Sequence, residues 1–203
     1  MDFLSKSENV FIRPTATGLT LGGVARNTKE SILLCEAANY NVIIVETVGV
    51  GQSEISAHSM VDFFLVLMLS GAGDELQGIK RGIMELADAI LITKADGQNI
   101  NLAKQAKQQI KNALHLFPAK ENNWTPVVET CSSKDELNIH LAWEIINDFF
   151  TVQSNNGWIK SNRIEQQIKA FNNTLQSEIY HDFLSKQKEY INHLENEIKQ
   201  NKI

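Results

Sequence analysis

Residues 41–54, Asn41-Val-Ile-Ile-Val-Glu46-Thr-Val-Gly49-Val-Gly51-Gln52-Ser-Glu54, join a β-branched apolar run to an acid and a glycine turn. Such a run suits a strand covered on both faces. Glycines just beyond it give the backbone freedom that a close approach to a phosphate needs. Glu46 is then an acid delivered to the terminal phosphate of a nucleotide, the second half of a phosphate site. The first half is a Gly-rich loop with Lys-Ser or Lys-Thr, which cradles phosphates through backbone N–H groups and precedes such a strand. No such string occurs between Met1 and Tyr40.

A second constellation is Ala89-Ile-Leu-Ile-Thr93-Lys94-Ala95-Asp96-Gly97, a strand ending in Thr-Lys-x-Asp. At a strand's carboxyl end this spacing lets Asp96 accept two hydrogen bonds from guanine, from N1–H and the exocyclic amine, while the Lys94 stem lies along the base. Adenine cannot donate that pair, so an unmatched carboxylate selects against it by about 1–3 kcal/mol. The alternative is an Asp that caps the following helix. The order of elements favours the base reader, because Asp96 lies one βα unit beyond a second strand and two beyond the Glu46 turn.

A third stretch, Ser70-Gly71-Ala-Gly-Asp74-Glu-Leu-Gln77-Gly-Ile-Lys80-Arg-Gly82, follows the second strand. It reads either as an ordinary βα loop with Asp74 as a helix cap, or as a mobile switch whose Gln77 and Lys80 reach the nucleotide or a partner.

These residues need a scaffold. Strand-like runs at residues 10–13, 41–45, 61–69, 89–93 and 126–130 alternate with helix-like stretches at 27–39, 75–87, 99–116 and 134–150, the first opened by a capping box of Asn27 and Glu30. That alternation is the pattern of an α/β domain with a mostly parallel sheet. Residues 154–157, Ser-Asn-Asn-Gly, form a polar break, and 161–203 contain no Gly or Pro. Ile164, Ile168, Phe171, Leu175, Ile179 and Phe183 recur at helical spacing, followed by Ile191, Leu194 and Ile198, so the carboxyl-terminal part is a long amphipathic helix or helical hairpin. Its stripe either packs on its own domain or serves as a dimerisation or docking arm.

Composition narrows the classes. The 203 residues carry a formal charge of −5 and show no basic patch, which argues against a general nucleic-acid or anionic-membrane binder. Two cysteines, Cys35 and Cys131, are too few for a disulfide scaffold and lack zinc-site spacing, so a reducing cytoplasm is expected. The longest largely apolar run, 61–69, which includes Asp62, is far short of a membrane span, and the Met1 end has no signal pattern. The five histidines lack ligand spacing, and Trp124, Trp143 and Trp158 are expected to fill core or interface volume.

Thr20-Leu-Gly22-Gly23-Val-Ala-Arg26, residues 46–54, residues 71–82 and Thr93-Lys-Ala-Asp96 together resemble the methylmalonyl-CoA mutase-associated GTPases, the MeaB/MMAA family, older name ArgK. The resemblance runs over residues 3–150 and continues weakly into the carboxyl-terminal helices. It implies a P-loop NTPase-type α/β fold, here lacking the first strand and P-loop, over residues 1–152, with a helical dimerisation arm over 153–203. It also implies a cytoplasmic GTPase chaperone that binds GTP or GDP and Mg²⁺ and serves an adenosylcobalamin-dependent methylmalonyl-CoA mutase in cofactor loading and protection.

Carried over by residue, the resemblance places Glu46 and Gly49 in the second switch, with Glu46 near the Mg²⁺ and its waters and the Gly49 amide toward the γ-phosphate. Gln52 and Asp74 become partner-responsive. Asp74, Gln77 and Lys80 belong to a third switch that rearranges when the mutase binds, where Lys80 stabilises charge developing on the phosphates. Thr93, Lys94 and Asp96 select guanine, supported by Ser132 and Ser133, the latter standing where the family usually has alanine. The family's Gly-rich loop and an Asp-Pro-Ser-Ser stretch lie upstream of the position that Met1 matches, so this chain is expected to bind GTP weakly or not at all. The alternative reading is a catalytically inactive module for mutase binding or self-association.

Overall fold

The structure, a computed structural model, describes residues 4–14, 21–47, 52–70 and 81–200. The chain divides into two compact units, Met1–Phe149 and Phe150–Ile203.

The first unit is built on a three-stranded parallel sheet in the order β1 (Leu65–Leu69), β2 (Ala89–Thr93), β3 (Val127–Thr130). Every residue from Ala89 to Ile92 is buried, at 4% exposure or less, as a continuous apolar run covered on both faces requires. The register places Val66, Ile90 and Val128 side by side, and Met68 beside Ile92. Side chains alternate along a strand, so these residues share one face. They form the main core with Ala103, Ala106 and Ile110 of α4 (Ile100–Leu114). The i, i+3, i+7 spacing of those three residues is one helical stripe, and its two alanines let the helix backbone lie close to the strands. A smaller cluster of Ala57, Phe64 and Ile83 gathers α2 (Gln52–His58) and α3 (Arg81–Leu86).

Asp88 fixes the amino end of the sheet. It is buried, its carboxylate accepts the Phe64 backbone N–H at 2.9 Å, and it pairs with Lys120 Nζ at 2.6 Å. Its backbone carbonyl accepts the Trp124 indole N–H at 2.9 Å, and Lys120 donates a further bond to the Leu86 carbonyl at 2.8 Å. Trp124 in turn meets the fully buried Phe149 edge-on, with ring centroids 5.2 Å apart.

The remaining helices are α1 (Leu21–Ala37), α5 (Ile139–Asn155), α6 (Trp158–Lys186) and α7 (Lys188–Lys199). The break before α6 falls in the polar 154–157 stretch, where Gly157 takes a left-handed φ of 80°. At 29 residues α6 is about 44 Å long at 1.5 Å per residue. It buries no residue within the chain, and Ile164, Ile168, Phe171, Leu175, Ile179 and Phe183 are all 46–65% exposed. Gln187 separates α6 from α7, so the long apolar pattern is two helices. No helix among the described residues is long and apolar enough to cross a membrane.

Several expected elements are corrected. Residues 10–13 and 41–45 form no strands, because a strand needs a ladder partner and these have none among the described residues. Val42 and Ile44 are 50% and 85% exposed. The first helix begins at Leu21, so Asn27 and Glu30 lie inside it and form no capping box. Residues 61–64 precede β1, and the helix expected from 134 begins at Ile139 because the preceding residues form a tight loop. Trp143 is 47% exposed and fills no core.

Replacing Asp88 by Ala strands the Lys120 ammonium and the Phe64 N–H. The expected loss is about 3 kcal/mol in urea unfolding, near the lower end for a broken buried pair because Lys120 keeps some solvent contact. A loss under about 1 kcal/mol would show that the cluster is not what anchors β2.

Candidate functional site

The carboxyl ends of β2 and β3 lie side by side because the strands are parallel, the edge at which ligands bind in open α/β sheets. The ladder continues past both strands: Cys131 N–H donates to the Ile92 carbonyl at 2.8 Å and Ala95 N–H to the Cys131 carbonyl at 3.0 Å. Lys94 leaves β2 through a left-handed φ of 55°, and Asp96 is extended at φ −127°, ψ 165° before the short 3₁₀ turn Gly97–Asn99. Two loops therefore leave the sheet locked together.

Across them, the fully buried Ser132 donates its hydroxyl to an Asp96 carboxylate oxygen at 2.6 Å. The same Ser132 oxygen accepts the Asp135 backbone N–H at 3.3 Å. Asp96 makes no side-chain bond to cap the following turn, which removes the helix-cap alternative. Its second oxygen and its partial exposure leave a negatively charged acceptor at the sheet edge. Thr93, the last residue of β2, donates its hydroxyl to the Met68 carbonyl at 3.0 Å. Lys94 and Ser133 are exposed at the same edge. Burial pushes the Cys131 thiol above its ordinary range, which keeps it a neutral packing group beside Ser132.

The sequence reading missed Asn138. Its side-chain amide donates to the Thr130 carbonyl at 2.8 Å and its φ is 57°, while Ser132 and Leu137 pair across the loop in an antiparallel bridge with Ser132 N–H on the Leu137 carbonyl at 3.0 Å. Asn138 therefore closes the loop that carries Ser132. The signal was the Asn itself, the kind of residue that enters left-handed backbone at least cost apart from glycine.

The structure gathers Thr93, Lys94, Asp96, Ser132 and Ser133 at one edge. Glu46 is exposed and lies outside any helix or strand. Gln52 opens α2, with its side chain outside the described residues, where Gly49, Asp74, Gln77 and Lys80 also lie. Among the described residues no three His, Cys, Asp or Glu side chains converge as metal ligands. Mg²⁺ beside a nucleotide needs only one or two carboxylates plus phosphate oxygens and water, and Glu46 is the carboxylate that the resemblance offers for it.

Replacing Asn138 by Ala removes a hydrogen bond and imposes left-handed strain, an expected cost of about 2 kcal/mol in urea unfolding. Asn138→Gly keeps the backbone conformation and should lose about half as much. Equal losses for the two variants would leave the backbone conformation without a role.

The sequence matches the model of the family described as methylmalonyl Co-A mutase-associated GTPase MeaB over residues 1–188. It is 42% identical over 179 residues to the GTPase ArgK of Escherichia coli K12, covering 88% of this chain and 54% of that protein. It is 40% identical over 180 residues to the mitochondrial methylmalonic aciduria type A homolog of Mus musculus, covering 89% and 43% respectively. A solved structure titled LAO/AO transport system kinase superposes with a TM-score of 0.80 at 35% identity, covering 98% of this chain and 63% of the other. The chain thus spans about half the length of the curated relatives it matches.

Proposed function

The chain belongs to the methylmalonyl Co-A mutase-associated GTPase family, and from that premise we propose that it carries the guanine-reading half of a GTP hydrolase that acts as a chaperone of an adenosylcobalamin-dependent methylmalonyl-CoA mutase. The observation that carries the base assignment is the Ser132 hydroxyl on Asp96 at 2.6 Å, with Asp96 left uncapped. A neutral donor on one oxygen brings no counter-charge to the carboxylate, and its remaining lone pairs accept N1–H and the exocyclic amine of guanine. Adenine offers an acceptor at N1 and carries no amine at C2. The carboxylate would then be desolvated without partners, a difference of about 3 kcal/mol or roughly a hundredfold in affinity.

In this reading Glu46 orders water around Mg²⁺, the Gly49 amide meets the γ-phosphate, and Lys80 stabilises charge on the transferring group. Gln77 orients near the phosphates, and Gln52 and Asp74 respond to the mutase. GTP state would then gate loading of the cofactor onto the mutase and protect the mutase from inactivation.

Calorimetry of the 203-residue chain with GDP, ADP and XDP tests the base site through selectivity rather than absolute affinity. GDP should bind about a hundredfold more tightly than ADP. Asp96→Asn presents a donor where guanine also donates, and should shift preference toward xanthine, which carries a carbonyl at that position. Equal affinity for GDP and ADP would sink the reading.

The exposed stripe on α6 favours a second reading for the carboxyl-terminal unit, a homodimerisation arm. Six large apolar side chains, each about half exposed or more, follow one face of a 29-residue helix. Phe171→Glu should convert a dimer to a monomer in sedimentation velocity without loss of helicity. A wild-type monomer at tens of micromolar would overturn the assignment.

A further inference from the structure

Thr93 occupies the position that the resemblance gives to guanine selection, yet its chemistry in the fold points elsewhere. It ends β2 opposite Leu69, and its hydroxyl donates to the Met68 carbonyl at 3.0 Å. A threonine hydroxyl has a single O–H donor and two acceptor lone pairs. The Hoogsteen edge of guanine presents acceptors alone, N7 and O6. With its donor held inside the sheet, the Thr93 oxygen would face those acceptors lone pair to lone pair, and it cannot read them.

The same bond has a structural use. Among the described residues β1 has one sheet neighbour, β2, and its Leu67 and Leu69 are 62% and 53% exposed. The buried faces that hold β2 in place are therefore incomplete for β1 toward its carboxyl end. The Thr93 bond adds a side-chain link across the last two register pairs, Met68 with Ile92 and Leu69 with Thr93, where β1 gives way to the glycine-rich segment.

We propose that Thr93 is a positioning residue that ties the carboxyl end of β1 to the base-recognition edge, and that it makes no donor bond to the purine. This rests on the guanine reading of Asp96 only for its nucleotide arm. Hydrogen exchange on the nucleotide-free chain tests the tie directly. Thr93→Val should speed exchange of the Leu67, Met68 and Leu69 amides by about fivefold, the effect expected of one modest hydrogen bond, and Thr93→Ser should restore protection.

The nucleotide arm compares GDP with 7-deaza-GDP, which lacks the N7 acceptor. Wild type should bind the two equally, and Thr93→Val should weaken both by the same factor. The proposal is overturned if β1 exchange is unchanged in Thr93→Val. It is also overturned if wild type discriminates against 7-deaza-GDP by more than about tenfold and Thr93→Val removes that discrimination. If wild type binds neither nucleotide, the exchange experiment alone decides the role of Thr93.

Discussion

The complete burial of β2 is the constraint on which the rest of the first unit depends. A five-residue strand without an exposed face between Ala89 and Ile92 must have helices on its faces and a strand on each side, and the structure supplies β1, β3 and the small-residue stripe of α4. Each end of the strand is then fixed by polar chemistry of a different kind. At the amino end the Asp88 carboxylate holds the Phe64 N–H and Lys120. At the carboxyl end backbone bonds through Cys131 lock the loop after β2 to the loop after β3. The charged anchor is buried away from the edge where a ligand would sit, and the acceptor offered at that edge is held by a neutral hydroxyl.

How much of this was legible in the sequence depended on how locally each feature is determined. The 89–93 run was read with its bounds intact because apolar β-branched residues flanked by Asp88 and Lys94 admit no helical period. Ala103, Ala106 and Ile110 lie within the expected 99–116 helix for a similar reason, since nothing in that stretch interrupts the helical pattern. Residues 41–45 have the composition of a strand but not the ladder, which composition cannot supply. The Asn27 and Glu30 pair imitated a capping box, and the helix continued through it from Leu21 because a cap is defined by backbone geometry rather than by spacing.

The proposed base site was legible in part. The Thr-Lys-x-Asp string marked Asp96 but left two readings, and only the absence of a side-chain cap bond together with the Ser132 contact separates them. Ser132 and Ser133 looked equivalent as adjacent serines, yet one is fully buried on Asp96 and the other exposed. The difference comes from the bridge between Ser132 and Leu137, a pairing that no local rule announces. Asn138 carries that bridge through a bond to Thr130, eight residues away.

That arrangement explains why a serine suits the position under Asp96. A lysine or arginine there would hold the carboxylate more strongly, but it would also neutralise the charge that two base N–H groups need, and its own charge would require burial at the sheet edge. A hydroxyl fixes one oxygen at the cost of one lone pair and adds no charge. It can do so with precision only if its own position is set by backbone, which is what the Asp135 N–H on its oxygen and the Leu137 carbonyl on its amide provide. The geometry at this edge thus depends on the parallel ladder beneath it, because the two loops that meet at Asp96 and Ser132 are brought side by side by the strands they leave.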